Sequence, residues 1–126
     1  AINPAIEKGQ IEGGFVQGAG WLTIEEVNWK SNGELTTHSP STYKIPAVND
    51  MPEKFNVEIY KNLNKENVVN KSKTTGEPPL MLAMSVFFAI KDAIASVRNY
   101  TKIPKLNSPA TPEAILLSIK NLTNKL

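Results

Sequence analysis

Apolar and polar positions follow three rhythms along this chain, and each rhythm predicts a kind of element. From Leu80 to Ile90 every position but Ser85 is apolar, which predicts a buried helix; at eleven residues the run is too short to cross a bilayer. Its start is expected at Pro78-Pro79, since a proline in the first turn loses no hydrogen bond and already has a helical φ. Its end is expected near Asn99, with Lys91, Asp92 and Arg98 marking a wetter second half. A second rhythm places Ile115, Leu116, Ile119 and Leu122 on one stripe of a final amphipathic helix, opened by Thr111-Pro112 and favoured at its end by Lys120 and Lys125. The third is alternation. Phe55, Val57 and Ile59 alternate with Asn56, Glu58 and Tyr60 as in a half-buried strand. Trp21–Trp29 has strand-like character too, and the turn signal Ser31-Asn32-Gly33-Glu34 folds it back on Glu34–Thr37 as a short hairpin.

At the other end, Asn3 is a good N-cap and Pro4 a good first helical residue, so a helix is expected there as well. Five of the seven glycines fall in it, at 9, 13, 14, 18 and 20. Each costs about 1 kcal/mol against alanine, so something must compensate. Glycines four or five apart strip one helix face to backbone and let another element, or a flat cofactor, come close. The pattern G-x-G-x-x-G is absent and no strand leads in, so this is not a dinucleotide fingerprint. Between the elements, Pro40–Pro52 is expected to be irregular, with Tyr43 and Ile45 as anchors. Asn62–Asn70 is expected to be an exposed loop, and Thr101–Pro109 a linker. The fold class predicted is α+β, over residues 1–126.

Composition narrows the function. At 126 residues and 40% hydrophobic content the chain can support one modest core. Its net charge of +2 is nearly neutral, and no basic cluster interleaved with aromatics suggests a nucleic-acid face. With no cysteine it can hold neither a disulfide nor a cysteine-ligated iron–sulfur cluster. No membrane span or signal peptide is predicted, so a soluble intracellular setting is expected. His38, the one histidine, stands in a Thr-Thr-His-Ser-Pro loop and is expected at the surface, not at a metal. Adjacent Glu25 and Glu26 would face opposite ways along a strand and cannot form a catalytic pair. The chain opens on Ala1 and enters a helix at once, as a piece of a longer polypeptide would.

Two kinds of side chain carry candidate chemistry. Glu77 stands between Gly76 and Pro78-Pro79, at the mouth of the apolar helix. It either offsets the positive end of the helix dipole or serves as a site carboxylate. Gln10 and Gln17 lie seven apart on or near the glycine face, so each either donates an amide hydrogen bond to a ligand or is buried against neighbouring backbone.

Four blocks in order then point to a family: N-P-A-I-x-x-G-Q-I-E-G-x-F-V-Q-G (Asn3–Gly18), P-S-T-Y-K-I-P-A (Pro40–Ala47), G-E-P-P-L with S-V-F-F-A-I-K-D-A-I (Gly76–Ile94), and S-P-A-T-P-E (Ser108–Glu113). Together they resemble the last part of the molybdopterin-binding domain of the xanthine dehydrogenase and aldehyde oxidase family, over nearly the whole chain. The resemblance implies a molybdenum hydroxylase acting on purines, or alternatively on aldehydes, by attack of a metal hydroxide and hydride transfer. It implies that Glu77 is the general base and that Gln10 lies beside the molybdenum ligands, with Gln17 in a supporting role. No protein side chain would ligate the metal directly, because the pterin dithiolene holds it. FAD and 2Fe-2S centres are expected on other parts of the polypeptide, as are the substrate-orienting arginine and aromatics. The rest of its own polypeptide is the partner implied, with a homodimer as the full enzyme. A cytoplasmic location is expected, the peroxisome being left open, with neither nucleic acid nor membrane as partner. This piece alone is expected to be inactive. One departure concerns the base itself: the family often has Lys-Ala-Val before Gly-Glu, and here Lys73-Thr74-Thr75 stands there. The rival class is a non-catalytic fragment whose apolar helix and glycine face only pack against a partner.

Overall fold

The computed structural model describes residues 1–123; Lys125 lies outside them. Four α-helices organise the chain: α1 (Pro4–Thr23), α2 (Pro78–Leu82), α3 (Met84–Ser96) and α4 (Pro112–Thr123). Local signals placed the starts of α1, α2 and α4 correctly. The Asn3 side chain accepts hydrogen bonds from the N–H groups of Ala5 and Ile6, at 3.2 and 3.3 Å, with Pro4 as first helical residue. Thr111 accepts from the Ala114 N–H at 3.2 Å to open α4.

The α+β expectation is corrected. Among the described residues no strand is present. Trp21, Leu22 and Thr23 complete the last turn of α1 instead of starting a strand. The expected hairpin is reduced to an isolated antiparallel bridge between Trp29 and Leu35, closed by the Lys30 N–H to Glu34 carbonyl bond at 2.9 Å. Gly33 supplies the positive φ of +83° that the turn requires. Phe55, Val57 and Ile59 are indeed half-buried and their neighbours exposed, yet no ladder forms there. Alternation reports which side chains find a surface, whereas a strand also needs a partner for its backbone. The surface here belongs to α1: the rings of Phe15 and Phe55 lie 5.3 Å apart.

The long buried helix is corrected twice. It breaks at Ala83 into α2 and α3 and stops at Ser96, where Asn99 and Tyr100 turn into the left-handed region at φ of 48° and 60°. Most of it is exposed on this chain: only Pro79, Ala83 and Ile94 are buried, while Met81, Leu82, Met84 and Phe88 face outward. Taken through the break, Pro78–Ser96 spans 19 residues and is long and apolar enough by composition to cross a membrane, where the eleven-residue run was not. Here it packs instead, on α1 at its start and on α4 at its end.

The core gathers at that second contact. Ile94, Leu106, Ala110 and Leu122 are buried together, with Phe87, Ile90, Ile115 and Ile119 packed around them. Leu106 comes from the expected linker, which therefore contributes to the core, and Ala110 directly follows it. Leu116 does not: at 51% exposed it leaves the predicted stripe, and Ser118, one turn before Leu122, takes the inward position.

Candidate functional site

The glycines of α1 decide how the site is assembled. A Cβ on Gly14 would stand 2.9 Å from the Cβ of Pro79, and one on Gly18 would run into the Leu80 carbonyl oxygen and the Ala83 side chain. Only hydrogen fits at either position, so α2 lies on the backbone of α1. Of the two occupants the sequence left open for this face, a helix fills it at Gly14 and Gly18. At Gly9 and Gly13, one turn earlier, a Cβ would meet nothing within 4 Å.

This packing sets the carriers of Glu77 and Gln10 side by side. Glu77 immediately precedes the Pro78-Pro79 pair that meets Gly14, and Gln10 lies one helical turn before Gly14. A cleft of about 510 Å³ is lined by Glu7 of α1 and by Lys73 and Thr75 of the segment leading to Glu77, and neither Gln10 nor Glu77 lines it. Both candidate side chains are exposed on this chain, as is Gln17. Within this chain neither Gln10 nor Gln17 is buried against neighbouring backbone.

The capping role of Glu77 is also weakened on local grounds. Its side chain makes no capping hydrogen bond. Pro78 and Pro79 have no N–H to offer, and the Leu80 N–H already donates to the Glu77 backbone carbonyl at 3.1 Å. A helix of five residues adds only a short dipole. The carboxylate is left free of the helix it precedes.

His38 is exposed, as expected, and lines a separate cleft of about 710 Å³ with Tyr43, Lys44 and Ile45. Ile45 is no anchor, being 62% exposed. Tyr43 is one, through a partner that sequence reasoning did not find. Its hydroxyl donates to the Glu25 carboxylate at 2.5 Å, and Glu25 is buried while Glu26 is exposed. That bond, with partial burial and the nearby negative charge, raises the Tyr43 hydroxyl above the ordinary phenol value. The partners are 18 residues apart, and the only signal for them was that Tyr43 falls inside one of the four blocks. Among the described residues no group of three or more His, Cys, Asp or Glu is placed to hold a metal ion.

Comparison with known proteins now identifies the class. A family model described as a molybdopterin cofactor-binding domain matches residues 1–52, a span that includes Gln10, Glu25 and Tyr43 and ends before Glu77. The chain is 49% identical over 121 residues to the xanthine dehydrogenase/oxidase of Felis catus, covering 91% of this chain and 9% of that protein. It is 45% identical over 137 aligned positions to the xanthine dehydrogenase of Oryza sativa subsp. japonica, covering 99% of this chain and 10% of the relative. The crystal structure of quinoline 2-oxidoreductase from Pseudomonas putida 86 superposes with a TM-score of 0.80 at 31% identity, over 94% of this chain and 14% of that one. The chain belongs to the xanthine dehydrogenase family, and it spans about a tenth of the length of these relatives.

Proposed function

We propose that this chain is the C-terminal part of the molybdopterin-binding domain of a molybdenum hydroxylase that oxidises a purine, with Glu77 as general base and Gln10 as a cofactor-binding residue. The observation that supports this is the glycine-tight contact of α1 with α2, made at Gly14, one turn after Gln10, and at Pro79, two residues after Glu77. The residues present suit a metal held by its own organic ligand. An exposed amide at Gln10 can donate hydrogen bonds to it, and the backbone beside Gly9 and Gly13 is open to close approach.

When bound, the molybdenum–pterin group supplies the two-electron oxidation, which no side chain can perform. The protein supplies position and a proton acceptor. Glu77 has a free carboxylate fixed by the two prolines after it, and it takes the proton from the attacking oxygen as the new bond to the electron-poor ring carbon forms. A base works best when partly desolvated, and the remaining polypeptide would cover the Glu77 edge and orient the substrate. FAD and 2Fe-2S centres on that remainder would carry the electrons away, in a cytoplasmic homodimer. The purine assignment rests on the xanthine dehydrogenase names of the relatives.

Replacing Glu77 by Gln in the full-length protein tests the base. Turnover per bound molybdenum is expected to fall by about a hundredfold or more, with molybdenum content retained, on the usual scale of acid–base contributions. Turnover near the parent value would sink the assignment. Loss of molybdenum in Gln10→Ala, with the domain still folded, tests the cofactor contact.

A further inference from the structure

We propose that Glu25 is a positioning residue: it latches the 39–52 segment onto the end of α1, and the latched segment braces α1 against α3, and so keeps α2 and Glu77 in place. The proposal rests on the assignment of Glu77 above.

Glu25 is a carboxylate at 8% exposure that forms no ion pair among the described residues. Burial of such a group is costly unless hydrogen bonds replace its water. Its backbone N–H donates to the Gly20 carbonyl at 3.0 Å, which folds the residue back over the last turn of α1. There its Oε1 would lie 2.5 Å from a Cβ on Gly20, and the Pro46 ring would crowd the same point at 2.5 and 2.6 Å. A glycine is thus required where the carboxylate and the proline both land. Oε2 accepts the Tyr43 proton, so one carboxylate and one glycine hold two points of the same segment, Tyr43 and Pro46.

The segment so held is stiff. Pro40, Pro46 and Pro52 limit its backbone, and the Asp50 carboxylate accepts from the Ala47 N–H at 2.8 Å around a single helical turn at Val48–Asp50. Beyond the latch, Pro46, Asp50 and Pro52 form one wall of a cavity of about 240 Å³, with Phe15 and Ala19 of α1 and Val86 of α3 among the others. The segment therefore faces Val86 of α3 across this cavity. Val86 is three residues past Ala83, the break between α2 and α3, and Ala83 rests on Gly18. Releasing the segment frees α3 to shift against α1, and α2 moves with it. The effect on chemistry comes through Glu77, which Glu25 does not touch.

The test uses the full-length protein loaded with its molybdenum cofactor. Tyr43→Phe keeps the ring and removes the donated proton, Glu25→Ala removes the acceptor, and Glu25→Gln keeps one. Hydrogen–deuterium exchange is read on peptides covering 39–52 and 84–96, alongside kcat and KM per bound molybdenum. Tyr43→Phe and Glu25→Ala are expected to speed exchange in both regions and to lower kcat about tenfold with KM nearly unchanged, while Glu25→Gln stays near the parent. Should Glu25→Ala fail to fold, Tyr43→Phe decides alone. Faster exchange confined to 39–52 with kcat intact, or a Glu25→Gln protein as impaired as Glu25→Ala, would overturn the proposal. The exchange result does not depend on the role of Glu77: if Glu77→Gln retains turnover, the catalytic assignment fails while exchange at 84–96 still shows whether Glu25 braces α3.

Discussion

Two of the helix contacts among the described residues, α1 with α2 and α3 with α4, are made in opposite ways. α1 meets α2 where side chains are missing, at Gly14 and Gly18, so backbone lies on backbone. α3 meets α4 where side chains are branched and aliphatic, at Ile94 and Leu122, with Phe87, Ile90, Ile115 and Ile119 filling around them. The aliphatic contact holds the cluster of buried side chains and contributes stability through burial. The glycine contact sets a short separation and leaves the polar residues beside it, Gln10 and Glu77, uncovered. A contact that positions and one that stabilises need different residues.

Mutations can break that contrast. In the aliphatic contact Ile94→Ala should cost most, about 2–5 kcal/mol, since a buried isoleucine leaves a cavity the neighbours only partly fill; a thermal or denaturant midpoint of the domain within error of the parent would show that Ile94 is not core. In the glycine contact Gly18→Ala should cost about 1–3 kcal/mol through overpacking against the Leu80 carbonyl. Its signature should differ, with molybdenum content falling further than the midpoint, because position is lost before packing. Ser118→Ala should stabilise by about 1 kcal/mol, for the Ser118 hydroxyl is buried without a hydrogen-bond partner. Gly13→Ala sharpens the comparison from the other side. A Cβ there meets nothing, so helix propensity should raise the midpoint by up to about 1 kcal/mol, and a loss of molybdenum instead would show that a bound group approaches this turn.

The smallest effect expected is one of pH. Tyr43 and Tyr100 each donate to a carboxylate, of Glu25 and Asp92 respectively, and each is raised from the ordinary 10.0 mainly by that bond. A group raised in the folded state contributes its stability below the unfolded value and loses it as pH rises through the folded one. Both bonds are therefore intact at neutral pH and weaken only above 10. Phenolate absorbance should show two tyrosines ionising late, and Tyr43→Phe and Tyr100→Phe should each remove one.

What was legible in the sequence was local. Asn3-Pro4, Pro78-Pro79 and Thr111-Pro112 marked helix starts because capping and a fixed φ act within three or four residues. The glycine spacing announced a close approach, and four short blocks carried the family together with Glu77 and Gln10. What failed needed a partner far along the chain. Trp21–Trp29 and Phe55–Tyr60 have the alternation of strands and, among the described residues, no neighbour that completes a ladder. Glu25 and Tyr43 were each in view, and nothing in their spacing paired them.

The chain's own order of residues thus determined where α1, α2 and α4 begin and that one face of α1 is stripped to backbone, since these follow from covalent geometry and short-range bonds. Tertiary structure alone decided that α2 fills the glycine face, that the apolar helix breaks at Ala83 and stays largely exposed, and that a buried carboxylate ties the 39–52 segment to α1. Burial and pairing depend on which surfaces meet in space, and that is a property of the folded arrangement of distant segments.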